Sequence, residues 1–101
     1  MDRLFPVLVR GPSMVPALRD GDALLVRRTG RVRAGDVVVV RFAGVPDLSV
    51  KRAVRPVEGG WWVEGDNPYG STDSRELGPA QVVGRVVLRW WPGISRVGPR
   101  R

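Results

Sequence analysis

Runs of β-branched residues, cut every few positions by Gly, Pro and Asp, decide what this chain can fold into. Val37-Val38-Val39-Val40 is the clearest run, and Val82-Val83 with Val86-Val87 repeats the pattern. Valine loses χ1 freedom in a helix but packs well on a pleated surface, so such runs favour strands. No long window sustains the apolar period of a helix. Candidate strands are Leu4–Arg10, Ala23–Arg28, Asp36–Phe42, Leu48–Val54, Trp61–Glu64 and Val82–Trp91, with one helical turn around Val15–Leu18. Short strands at regular spacing predict an all-β, barrel-like domain. Strand alternation puts one Trp of each pair, Trp61-Trp62 and Trp90-Trp91, in the core and the other at the surface.

At 101 residues the chain supports one domain, residues 1–101, with a single small core. The tail from Pro92 to Arg101, rich in Gly and Arg, is expected to fray. The chain has neither cysteine nor histidine. That excludes disulfides, thiolate zinc sites, cysteine nucleophiles and any Ser-His-Asp triad. Acidic residues are too dispersed to form a hard-metal cage, so neither a metal nor a cofactor is expected. The net charge of +7 is spread along the chain rather than blocked. It reads as a solvated surface, with a basic β-barrel binding nucleic acid as the rival. The apolar stretch Leu4–Val9 contains Pro6 and falls far short of the ~20 residues of a membrane span. If Met1 is the natural start, the expectation is a soluble, cytoplasmic protein. An N-terminal anchor removed by trimming would instead make it membrane-associated.

Three segments carry residues suited to chemistry. Ser13 lies in Gly11-Pro12-Ser13-Met14-Val15-Pro16, a stiff turn after the first strand. Of the 17 Lys and Arg residues, Lys51 is the only lysine. An arginine cannot deprotonate to serve as a base, whereas a buried lysine can. Alternation in Leu48–Val54 puts Lys51 on one face with Ser49 and Ala53, and leaves Arg52 free to project to solvent. To act near neutrality Lys51 must lose about 3 units from the ordinary ~10.4, which burial can supply. The third segment is the polar, turn-rich stretch from Gly65 to Arg75, where Asp73 and Arg75 can pair and Ser71 can meet a neutral amine. Gly21-Asp22, Gly35-Asp36 and Gly65-Asp66 read as strand-entry turns, with each Asp bonding back to nearby N–H groups.

Taken in order, these segments resemble the type I signal peptidase family of Ser/Lys proteases. The nucleophile box appears as Ser13-Met14-Val15-Pro16-Ala17-Leu18 followed by Gly21-Asp22, and the lysine box as Lys51-Arg52-Ala53-Val54. The third box appears as Gly65-Asp66-Asn67, Ser71-Thr72-Asp73-Ser74-Arg75 and Gly78. The resemblance covers roughly residues 7 to 91. Within the family the chain is most similar to short maturation proteases associated with nickel-containing superoxide dismutase. The similar features are its length, Gly60-Trp61-Trp62-Val63 and Trp90-Trp91-Pro92.

The resemblance implies a signal-peptidase-like coiled β-barrel of short antiparallel strands. It implies that Ser13 is the nucleophile and Lys51 the general base, with Ser71 orienting the amine and Asp73 and Arg75 supporting it. The Ser13 backbone N–H would be one oxyanion donor. Gly11 stands where some members carry a second, hydroxyl donor, and Ala17 replaces a threonine. A precursor protein would bind as an added strand between Val7–Gly11 and Leu48–Val50, with Val9, Gly11, Met14, Leu18, Leu24 and Val50 lining its pockets. Any nickel would belong to the substrate. The Trp pairs would offer a surface for peripheral membrane contact or for a partner. The sequence leaves the oligomeric state open. The main alternative within this class is a signal peptidase catalytic domain acting on secretory precursors.

Overall fold

The computed structural model describes residues 3–99. Along the chain run β1 (Leu4–Leu8), β2 (Ala23–Arg28), β3 (Val37–Phe42), β4 (Ser49–Val57), β5 (Gly60–Glu64), α1 (Ser74–Leu77), β6 (Ala80–Trp91) and β7 (Ser95–Arg96). Six strands lie in the order β1-β2-β6-β3-β4-β5, with β7 beside β6. All pairings are antiparallel. Trp61 of β5 also pairs with Ala80 of β6, which closes β6-β3-β4-β5 into a small barrel. The fold is all-β, as the strand pattern predicts.

β3 explains the run of four valines. Val37 and Val39 enter a core cluster with Val9, Met14, Leu18, Leu24, Val26 and Val86. Val38 and Val40 point the other way, into the barrel cluster with Phe42, Ala53, Val63 and Ala80. A strand buried on both faces needs an unbroken apolar run rather than an alternating one. β6 joins the two halves: residues 80–85 pair with β3 and residues 84–91 with β2. Register shifts between Ala23 and Leu24, Leu25 and Val26, and Val39 and Val40 let these strands bend. At Gly84 the β2 backbone passes so close that a Cβ would lie 2.6 Å from the Arg27 carbonyl oxygen.

The Gly-Asp turns at β2 and β3 are built alike. Buried Asp22 accepts from the Arg19 N–H and buried Asp36 from the Arg33 N–H, each at 2.9 Å. Around Ser13 the expected helical turn is one α-type hydrogen bond, Leu18 N–H to the Met14 carbonyl at 2.9 Å.

Several elements differ from expectation. β1 ends at Leu8, and β4 runs on to Val57. α1 lies in a stretch read as loop. It forms because Asp73 caps it and its side chain accepts from the Arg75 N–H. The stretch from Pro92, expected to fray, contains β7, and Val97 packs against the first cluster. Arg100 and Arg101 lie outside the described residues. The pair Trp90-Trp91 does not split into a core and a surface member: Trp90 is 47% exposed and Trp91 61%. Trp61 and Trp62 are half-buried. Trp61 packs on the barrel cluster, while Trp62 sits under Arg55 and donates to Glu64.

Candidate active site

Among the described residues β1 pairs only with β2, which leaves its other edge without a partner strand there. β5 joins β4 only from Arg52 onward, so Ser49, Val50 and Lys51 are paired on the β3 side alone. Between these two edges lies a cleft of about 610 Å³. One wall is Val7, Leu8, Val9 and Arg10, and the other runs from Asp47 to Lys51; Ser13 also lines it. Both walls run toward the residues singled out for chemistry, β1 toward Ser13 and β4 toward Lys51. A hollow of about 670 Å³ at Arg41–Pro46, Gly59, Pro79 and Gln81 contains no nucleophile or base.

Lys51 is only 4% exposed. Its Nζ donates to Ser71 Oγ at 3.4 Å, and Ser71 Oγ donates to Asp73 Oδ2 at 2.8 Å. Asp73 is fully buried, and its carboxylate is saturated. Oδ1 takes Arg75 N–H and Nε–H at 3.1 and 2.9 Å. Oδ2 takes Gly65 N–H, Ser71 and Arg75 Nη2 at 2.8, 2.8 and 2.7 Å. Burial pushes this carboxyl up, but the hydrogen bonds from Arg75, Gly65 and Ser71 outweigh it and hold the group well below the usual carboxylate range. Burial also pushes the Lys51 amine down; Asp73 opposes that and Arg75 adds to it, and the amine stays below the ordinary lysine value. Ser71 stands between Lys51 and the anion, and its proton is committed to Asp73.

Gly65 has no room for a side chain. A Cβ there would run into Ser71 Oγ, and it would lie 2.7 Å from the Ser13 carbonyl oxygen. The Ser71 side and the Ser13 side therefore close on the same bare backbone. Arg52 does not project to solvent, as alternation suggested. It forks onto Asp66 at 3.2 and 2.7 Å and donates to the Gly35 carbonyl at 2.9 Å. That pair ties the strand position after Lys51 to the loop position after Gly65.

Ser13 and Lys51 thus line one cleft, and Ser71, Asp73 and Arg75 form the network behind Lys51. The expected pocket residues divide. Val9 and Val50 line the cleft. Met14, Leu18 and Leu24 are buried in the first core cluster and do not line it, and neither does Gly11, whose N–H binds Asp20 at 2.8 Å. Sequence reasoning missed Arg10 and Asp47 on the cleft walls, and the Arg52–Asp66 tie. Only the tie had a signal, since each partner adjoins a residue already singled out. Among the described residues no group of acidic side chains is placed to hold a metal ion. None of their helices is long and apolar enough to cross a membrane.

A family model described as Peptidase S24-like matches residues 1–87. Similar proteins include the mitochondrial ATP-independent inner membrane protease subunit 1a of Arabidopsis thaliana, at 34% identity over 83% of this chain and 68% of the relative. The mitochondrial inner membrane protease subunit 1 of Xenopus tropicalis is 32% identical over 92% of this chain and 72% of its own length. The human protein of that name is 27% identical over 92% and 75%. The class is therefore that of a peptidase. The chain belongs to the Peptidase S24-like family.

Proposed function

We propose that the chain is a Ser/Lys endopeptidase that removes an N-terminal extension from a precursor protein. The observation that carries this reading is the buried Lys51 amine, held by Ser71 on the cleft that Ser13 also lines. Neutral Lys51 takes the Ser13 hydroxyl proton as Oγ attacks the scissile carbonyl carbon. The tetrahedral oxyanion forms against the Ser13 N–H. Collapse breaks the C–N bond, and the Lys51 ammonium protonates the departing amine. Water then attacks the ester and gives its proton to Lys51; collapse breaks the bond to Ser13 Oγ, which takes that proton back from Lys51 as the acid product leaves. The Ser71–Asp73–Arg75 network keeps the amine oriented through these proton transfers.

The substrate lies extended between the open edges of β1 and β4 and adds a strand through main-chain hydrogen bonds. Val9 and Val50 offer it apolar contacts. The substrate to which the sequence resemblance points is the precursor of nickel-type superoxide dismutase. A second reading, an inserted or secreted precursor, is favoured by the inner-membrane names of the relatives. The test is mass spectrometry of each precursor after incubation with the protein and with its Ser13→Ala variant. One N-terminal cut in the dismutase precursor, made only by the unmutated protein, is the expected result. Cleavage confined to the secretory precursor moves the assignment to the second reading. A basic nucleic-acid module would cut neither, and would bind nucleic acid with steep salt dependence whether or not Ser13 is present.

A further inference from the structure

Asn67 has no assigned role in the chemistry, yet it holds the nucleophile's turn at two consecutive carbonyls. Its side-chain Nδ2 donates to the Pro12 carbonyl at 3.1 Å, and its backbone N–H donates to the Ser13 carbonyl at 2.8 Å. The amide's orientation is set from its other end, because Oδ1 accepts from the Tyr69 N–H at 3.0 Å. The loop is closed further by the Gly70 N–H to the Asn67 carbonyl at 3.3 Å. Its position against the turn is tight at both ends. A Cβ on Gly65 would collide with Ser71 and the Ser13 carbonyl, and one on Gly70 would lie 3.0 Å from Pro12 Cγ. On the other side Asp66 is anchored by Arg52, the neighbour of Lys51.

In a trans peptide the C=O and the following N–H point in opposite directions from one rigid plane. Holding the Pro12 oxygen toward the loop therefore aims the Ser13 N–H away from it. Among the described residues that N–H has no hydrogen-bond partner. The Val15 N–H also binds the Pro12 oxygen, at 3.1 Å, so the plane is pinned from two sides.

We infer that Asn67 is a positioning residue for the oxyanion site: through the Pro12–Ser13 peptide plane it aims the Ser13 N–H at the charge that develops during acylation. The inference rests on the Ser/Lys reading above. It deepens that reading by assigning transition-state alignment to a side chain that touches neither substrate nor base. A fixed donor is useful because it needs no reorganisation as the charge appears.

The test compares Asn67→Asp and Asn67→Ala with the unmutated protein on one cleavable precursor peptide. The Asp variant keeps the acceptor for the Tyr69 N–H, and with it the loop turn, while removing the donor to Pro12. Four readouts are needed: kcat and KM, the pH profile, the urea midpoint, and inhibition by an aldehyde of the same peptide. The aldehyde adds to Ser13 as a hemiacetal that mimics the tetrahedral state. The expected result is a kcat lowered about 10- to 100-fold, less than complete loss of an oxyanion donor. Aldehyde affinity falls in parallel, while KM, the position of the pH limb and the Asp variant's urea midpoint stay unchanged. Full kcat in Asn67→Asp overturns the inference and leaves the peptidase reading intact. So does a defect confined to KM, or one that follows the urea midpoint. If the unmutated protein cuts no peptide, the peptidase reading falls and takes this inference with it.

Discussion

Lys51→Met is expected to abolish peptide cleavage while leaving the fold at least as stable as before. Methionine fills a similar volume without an amine to desolvate, and a buried cation carries a cost that an apolar side chain does not. The loss of kcat should reach at least about 10³-fold, because base and nucleophile act as one unit. Lys51→Arg should be equally inactive, since a guanidinium keeps its proton. Ser13→Ala should match both. The pattern is what separates the chemistry from the packing: three inactive proteins, at least one of them with an undiminished urea midpoint. Lys51→Met that still cuts would end the Ser/Lys assignment.

The second large effect concerns Asp73. Asp73→Ala should destabilise the domain by about 2–4 kcal/mol, because it orphans the Gly65 N–H and the Ser71 hydroxyl in the interior. Arg75 contributes less to that sum, since its side chain is 43% exposed and can turn to solvent. Activity should fall as well, because Ser71 loses the acceptor that fixes its lone pairs toward Lys51. The pH dependence has a definite sign. Asp73 is held below the ordinary carboxylate range in the folded state. Its contribution is therefore complete above the unfolded value, about 3.9, and is lost as pH falls through the folded value. Lys51 acts with the same sign at high pH. The folded state binds its proton less tightly than the unfolded chain, so stability gains as pH rises toward the ordinary lysine value. Urea midpoints across pH for the unmutated protein, Asp73→Asn and Lys51→Met should show the first limb vanish in one variant and the second in the other. An acid limb unchanged in Asp73→Asn would contradict the assignment.

Much of this was legible in the residues. The four valines of β3 announce a strand, though only the structure shows why none is polar: the two clusters share it back to back. The lone lysine and the absence of histidine narrow the chemistry before any coordinate is known. The Gly-Asp turns behave as local geometry demands at Asp22 and Asp36. What the sequence hid depends on tertiary placement. Met14, Leu18 and Leu24 are apolar and adjacent to the boxes, which suits a pocket and a core equally; packing against Val26 and Val86 decides for the core. Arg52 could face water or a partner, and the distant Asp66 settles it. α1 follows from a cap directly before a four-residue helix, too short a signal to stand out from a polar loop. Trp90 and Trp91 are both exposed, so alternation there selects no core face.

The most direct test of the account is the pH dependence of kcat/KM for a cleaved precursor peptide. Burial, more than the partly cancelling charges of Asp73 and Arg75, keeps the Lys51 proton weakly held. The account predicts a rate that rises with pH through a single limb whose midpoint lies clearly below the ordinary lysine value of about 10.4. A limb at the ordinary lysine value, or a profile that persists when Lys51 is replaced by methionine, would show that some other group takes the Ser13 proton.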